Sequence, residues 1–166
     1  ETAKAINRYH HFPILTDRGL MELNGGDWEG IPWADLPSRY PEESKIWNET
    51  PYRFSPKNGE SMRELYDRIW NTILKIVKAN PGKTIAVTSH GCAIRNFLCR
   101  AAGGPIEKLS EMDWCDNTAV SIVDFDDGLR PHIRLMNDAS HLTGESSTFA
   151  KQTWWKPENR GGCQME

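Results

Sequence analysis

The stretch Lys83–Cys99, K-T-I-A-V-T-S-H-G-C-A-I-R-N-F-L-C, limits what this chain can fold into more than any other. Its opening run, Thr84, Ile85, Ala86, Val87 and Thr88, is β-branched or apolar throughout and predicts a buried strand. Ser89-His90-Gly91 follows, and Cys92–Ala102 reads as a helix. The apolar positions Ala93, Ile94, Phe97, Leu98 and Ala101 recur with helical spacing and predict the inward face. A strand, a tight turn and a helix in succession gather free backbone N–H groups and the positive end of a helix dipole at one point. Such a point favours anions, phosphate above all. His90 is therefore a candidate for touching a phosphate, and Gly91 for offering its N–H to one. Taken alone, S-H-G also fits a histidine that merely caps a strand end.

At 166 residues, with 38% hydrophobic and 26% charged residues, the chain suits one globular domain with a single core. A net charge of −3 gives no electrostatic case for a nucleic-acid partner. No apolar run is long enough to span a membrane as a helix, and no membrane partner is expected. Cys92, Cys99, Cys115 and Cys163 form no C-x-x-C pair and no metal-ligand spacing with the histidines. A reduced, cytoplasmic protein with no metal is the expectation.

Along the chain, Glu1–Tyr9 reads as the end of a helix and Phe12–Leu15 as a short strand. Leu20–Gly30, L-M-E-L-N-G-G-D-W-E-G, is loop-like, with Gly25, Gly26 and Gly30 around Glu22, Trp28 and Glu29. Pro32, Pro37 and Pro41 exclude one long helix over 31–50 and predict short ones. Residues 51–59 read as a polar loop. Glu60–Ala79 is the clearest helix, with Met62, Leu65, Tyr66, Ile69, Trp70, Ile73, Ile76 and Val77 in one apolar stripe and Asn80-Pro81-Gly82 stopping it. Ala119–Phe125 and Leu129–Met136 flank Asp126-Asp127-Gly128 and predict a hairpin, followed by a polar tail with Trp154-Trp155. Alternating helices and strands with a terminal hairpin predict an α/β sandwich with a mostly parallel sheet.

Five segments in register resemble the histidine phosphatase superfamily, the fold group that includes cofactor-dependent phosphoglycerate mutase. L-M-E-L-N-G-G-D-W-E-G is similar to its L-x-E-x-x-x-G-x-W-E-G segment, and N-G-E-S-M-R-E-L-Y-D-R-I to its G-E-S-x-x-[DE]-x-x-x-R helix start. V-T-S-H-G-C-A-I-R resembles its S-H-G strand end, and D-N-T-A-V-S-I-V and L-M-N-D-A-S-H-L its last two strands. The resemblance implies a single domain over residues 1–166, a phosphoglycerate mutase-like three-layer α/β/α sandwich with its first strands missing. In this family an R-H-G histidine forms a phosphohistidine, the S-H-G histidine helps hold the phosphoryl group, and an acid in the L-x-E segment protonates the leaving oxygen. Carried over, Glu22 matches the acid and His90 the second histidine. No cofactor is implied, and the expected partner is a small phosphorylated substrate.

The 166 residues contain no R-H-G. The resemblance places that motif, its arginines and two strands before Glu1, so the chain alone is expected to be inactive. It is also expected to self-associate through the unpaired edge of Thr84–Thr88. The compact spacing from Glu22 to His90 and the W-E-G-x-x-W pattern look more like the phosphatases than the mutases, which carry inserted segments there. Glu29 is a rival for the acid. Trp28, Asn137, Asp138 and His141 read as packing or hydrogen-bonding residues, and His10-His11 as solvated. A remnant that binds a phosphorylated ligand or a partner without chemistry is the competing reading, and a mutase-type phosphotransferase another. An unrelated nucleotide-binding domain lacks support, because neither G-x-G-x-x-G nor G-K-[ST] is present.

Overall fold

The computed structural model describes residues 1–143 and 145–151. The tail with Trp154-Trp155 lies outside the described residues. The helices are α1 (Thr2–Ile6), α2 (Leu36–Arg39), α3 (Pro41–Glu49), α4 (Met62–Lys78), α5 (Gly91–Ala101) and α6 (Thr148–Lys151). The strands are β1 (Val120–Phe125) and β2 (Pro131–Asp138).

The core is built on α4, where sequence and structure agree. Ser61 caps it: its hydroxyl accepts from the Glu64 N–H at 3.3 Å while the Glu64 carboxylate accepts from the Ser61 N–H at 2.8 Å, a reciprocal capping box. Beyond the cap, Met62, Leu65, Tyr66, Ile69, Thr72 and Ile73 are buried, one stripe at helical spacing. Against them pack Phe54, Ile106 and Leu109, each at most 1% exposed. Phe54 corrects the expectation of a merely polar loop over 51–59, because its ring fills the core between Trp28 and Trp47, at 4.7 and 4.8 Å between centroids.

Helix α5 lies against α4 with a face rotated from the expected one. Ala93, Leu98 and Ala101 are buried as the periodicity predicts, but Ile94 and Phe97 are only half-buried, and Cys92, Arg95, Asn96 and Cys99 go inward. The cause is polar. Arg95 donates to the carbonyls of Met112 at 2.9 Å and Leu109 at 2.6 Å, and Asn96 donates to the Cys92 carbonyl at 2.9 Å. These bonds let hydrogen-bonding side chains take interior positions that a hydropathy pattern assigns to the surface.

The hairpin forms as an antiparallel ladder, with Ile122 opposite Leu135 and Phe125 opposite Pro131. The second strand begins at Pro131 rather than Leu129, which sits in the left-handed region at φ 61° within the turn. Among the described residues this two-stranded ladder is the only hydrogen-bonded sheet. The runs Phe12–Leu15 and Thr84–Thr88, expected as strands, pair with no neighbouring strand there, and the parallel part of the sheet has no ladder. Ile85 and Val87 are each 39% exposed instead of buried. The physical reason is that extended backbone becomes sheet only when a neighbour takes its N–H and C=O groups. The fold class remains α/β, mixed helix and sheet.

Candidate active site

The acid loop, residues 17–23, is shaped by its contacts with α4. Asp17 accepts from the Gly19 N–H at 2.8 Å and pairs with Lys75 at 3.0 Å; the Gly19 bond first, then Lys75, holds its carboxyl below the usual range. Gly19 is required by proximity, because a Cβ there would lie 1.9 Å from the Thr72 hydroxyl oxygen. Further on, Gly26 has φ +55° and approaches the Lys57 carbonyl so closely that a Cβ would lie 2.2 Å from it. The adjacent Asp27 N–H donates to that carbonyl at 3.0 Å, joining this loop to the one that leads into α4.

Glu22 reaches the first turn of α5. One carboxylate oxygen accepts from the Leu23 N–H at 2.9 Å and the Ala93 N–H at 3.0 Å, and the other from the Cys92 N–H at 3.0 Å. The carboxylate thus takes two of the helix's unpaired N–H groups, where the dipole favours a negative charge. The third, on Gly91, makes no hydrogen bond among the described residues. His90 occupies the N-cap position in extended backbone, and its side chain is exposed and makes no hydrogen bond among the described residues. The structure therefore brings Glu22 to the turn that carries His90 and Gly91. Trp114 covers that turn, close enough that a Cβ on Gly91 would meet its ring at 3.6 Å.

The rival carboxylate, Glu29, goes elsewhere: it accepts from the Gly25 N–H at 2.8 Å within its own exposed loop. Trp28 is buried, donates to Glu43 at 2.6 Å and packs among Trp33, Tyr40, Trp47 and Phe54, a packing role as the sequence suggested. Asn137 exchanges hydrogen bonds with Ser121, and His141 approaches Thr118 at 3.4 Å. Cys92 is the nearest sulfur nucleophile to the turn, yet burial, and then the Glu22 charge, push its thiol far above the ordinary range. Among the described residues no group of three or more His, Cys, Asp or Glu could hold a metal, and no helix is long and apolar enough to cross a membrane.

Beside Glu22 opens a cavity of about 430 Å³ walled by Arg18, Asn24, Glu60, Glu64 and Arg68 among others; His90 and Gly91 do not line it. Glu60 lies one residue ahead of the Ser61 cap and reaches Arg68. Its two oxygens accept from Nε and Nη2 along one edge of the Arg68 guanidinium at 2.6 Å each, and this pairing, ahead of burial's opposing effect, raises the Arg68 pKa. Arg68, Ser89 and Trp114 were not recognised from sequence as parts of the site. Arg68 ends the G-E-S-M-R-E-L-Y-D-R segment, but nothing in the sequence reveals that its guanidinium turns toward residues nearly fifty positions earlier.

The comparisons agree with this architecture. The chain is 33% identical over 143 residues to the uncharacterized phosphatase PhoE of Bacillus subtilis, covering 86% of this chain and 67% of that protein. It is 26% identical over 141 residues to phosphoserine phosphatase 1 of Hydrogenobacter thermophilus, covering 85% and 66%. The chain thus spans about two thirds of the length of these curated relatives. Among solved structures, YhfR of Bacillus stearothermophilus superposes with a TM-score of 0.79 at 25% identity, covering 84% of this chain and 69% of that one. The family model of the histidine phosphatase superfamily, branch 1, matches residues 1–139, and the chain belongs to that superfamily.

Proposed function

We propose that this chain supplies the acid side of a phosphomonoester-hydrolysing site, with Glu22 as the proton donor to the leaving oxygen and His90 and Gly91 as donors to the phosphoryl oxygens. The observation that carries the reading is the seating of Glu22 on the Cys92 and Ala93 amides at 3.0 Å each, which puts a carboxylate beside the His90 turn. Phosphoryl transfer needs a nucleophile, N–H or cationic groups around the equatorial oxygens, and a proton for the departing alkoxide. The last two are represented here. Because Glu22 already occupies two of the α5 amides, the phosphoryl group would meet the free Gly91 N–H and the exposed His90 rather than the whole helix end. The nucleophile of the resembled family, an R-H-G histidine, is not among these 166 residues. Hydrolysis rather than mutase transfer is favoured by the short Glu22–His90 spacing and by relatives named as phosphatases.

The substrate would be a small phosphorylated molecule, handled without a cofactor in the cytoplasm, where the free thiols of Cys92, Cys99 and Cys115 would stay reduced. The 166-residue chain by itself would self-associate. Support for that comes from Thr84–Thr88, which has no ladder partner among the described residues, beside the exposed Ile85 and Val87.

The test uses the complete gene product with alkyl and aryl phosphates and acid-labile phosphohistidine trapping. Glu22→Gln should lower alkyl ester turnover about 10²–10⁴-fold, the worth of a positioned general acid, and aryl ester turnover much less. His90→Ala should slow both alike, by about 10²-fold or more. Absence of turnover and of phosphohistidine, with inorganic phosphate still bound, would establish the non-catalytic ligand-binding reading instead.

A further inference from the structure

Four consecutive carbonyls of the acid loop each meet a side-chain donor. Arg68 donates to the carbonyls of Gly19 at 2.9 Å, Met21 at 3.0 Å and Glu22 at 3.2 Å, and the Ser89 hydroxyl donates to that of Leu20 at 2.7 Å. The other edge of the guanidinium is taken by Glu60, whose two oxygens accept at 2.6 Å each. Arg68 is thus committed on both sides, one holding a carboxylate of the preceding loop and the other the backbone that leads into Glu22. Glu60 fixes the plane of the guanidinium, and the plane fixes where the loop carbonyls can sit. A lysine ammonium could carry the charge but not this fork.

We propose that Arg68, oriented by Glu60, is the positioning residue for Glu22: it sets the Gly19–Glu22 backbone so that the carboxylate lands on the Cys92 and Ala93 amides. The hydrogen bonds of Arg68 among the described residues go to Glu60 and to loop carbonyls. Its three loop contacts go to carbonyls, so its effect reaches the chemistry only through where Glu22 is held. The proposal rests on the reading of Glu22 as the leaving-group acid, and two independent readouts keep the two ideas separable.

The experiment compares Arg68→Lys and Glu60→Gln with the unchanged complete gene product. The first readout is amide hydrogen exchange followed by NMR, which needs no turnover. Both variants should speed exchange at Cys92 and Ala93 about ten- to hundredfold, the worth of a hydrogen bond to a charged group, while amides inside α4 and α5, such as Ile69 and Leu98, keep their protection. Unchanged Cys92 and Ala93 protection in both variants would overturn the positioning role. General loss of protection in both would overturn it too, showing a clamp that holds the fold rather than the acid. Should Arg68→Lys alone fail to fold, Glu60→Gln decides by the same criterion. The second readout is the alkyl-to-aryl turnover ratio, which should fall in both variants in the direction of Glu22→Gln. If selective exchange is seen but the ratio is unmoved, Arg68 positions Glu22 and it is the acid assignment that fails.

Discussion

Two halves of the molecule use the same kinds of apolar residue and treat them oppositely. On the helical side, Met62, Leu65, Ile69, Leu98 and Leu109 are at most 1% exposed, and the loops that serve them are tied down. On the extended side, Phe12 is 70% exposed, Leu15 86%, and Ile85 and Val87 39% each. The difference lies in what each element can complete alone. A helix satisfies its own backbone and needs only a neighbour for one face, which α4 and α5 provide each other. An extended run satisfies neither its backbone nor its two faces without partners, and Phe12–Leu15 and Thr84–Thr88 have no ladder among the described residues. Glu22 sits on the helical side of this divide, and the His90 turn is where the two halves meet.

The sharpest way to break the contrast is to truncate a leucine on each side. Leu65→Ala should cost about 2–5 kcal/mol in denaturant unfolding, because it opens a cavity in packed core. Leu15→Ala should stay within about 0.5 kcal/mol, as an exposed position with no such feature. Comparable losses at the two sites would mean that the extended side is packed in solution.

Closer to the site, Gly19→Ala should destabilise by about 1–3 kcal/mol through overlap with Thr72, the usual range for forcing extra volume into a filled space. Pairing it with Thr72→Ala should recover much of that loss, and a double-mutant cycle in the same unfolding assay measures the coupling. Strict additivity would show that the two residues do not meet.

Removing the α4 cap by Ser61→Ala should cost about 1 kcal/mol at neutral pH. Hydrogen bonds from Ser61, its hydroxyl first, lower the Glu64 pKa below the ordinary value. A carboxylate depressed in the folded state adds stability above its unfolded pKa and loses it as pH falls through the folded one. The Glu64 part of the gap between the two proteins should therefore hold at pH 6–7 and shrink as pH drops below about 4.3, the ordinary glutamate value. A gap that widens in acid would contradict the capping box.

The smallest stability effect is expected on the extended side, where Ile85→Lys with Val87→Lys should leave unfolding of the 166-residue chain nearly unchanged. The same pair should shift that chain toward monomer in sedimentation, since charge on an exposed strand opposes edge pairing. Association unaffected by both lysines would locate the contact elsewhere.

The sequence by itself determined the elements whose cause is local. The α4 stripe, its capping box and its Asn80-Pro81-Gly82 stop, the short proline-punctuated helices and the 126–128 turn all follow from periodicity and backbone preference within a few residues. The S-H-G turn leading into α5 was legible for the same reason, and spaced motifs singled out Glu22 and His90 as candidates. Tertiary structure alone decided the rest. Ile85 and Val87 have the composition of a buried strand, but burial is conferred by neighbours that a local pattern does not contain. Hydropathy placed Arg95 and Asn96 outside, and distant carbonyls together with the α5 backbone drew them in. Glu22 rests on the α5 amides while Glu29 stays in its own loop, and the backbone leading into Glu22 is held by Arg68, whose partners lie 46 to 49 residues away in the chain. A hydrogen bond over that distance depends on where two elements pack, so no window of sequence holds it.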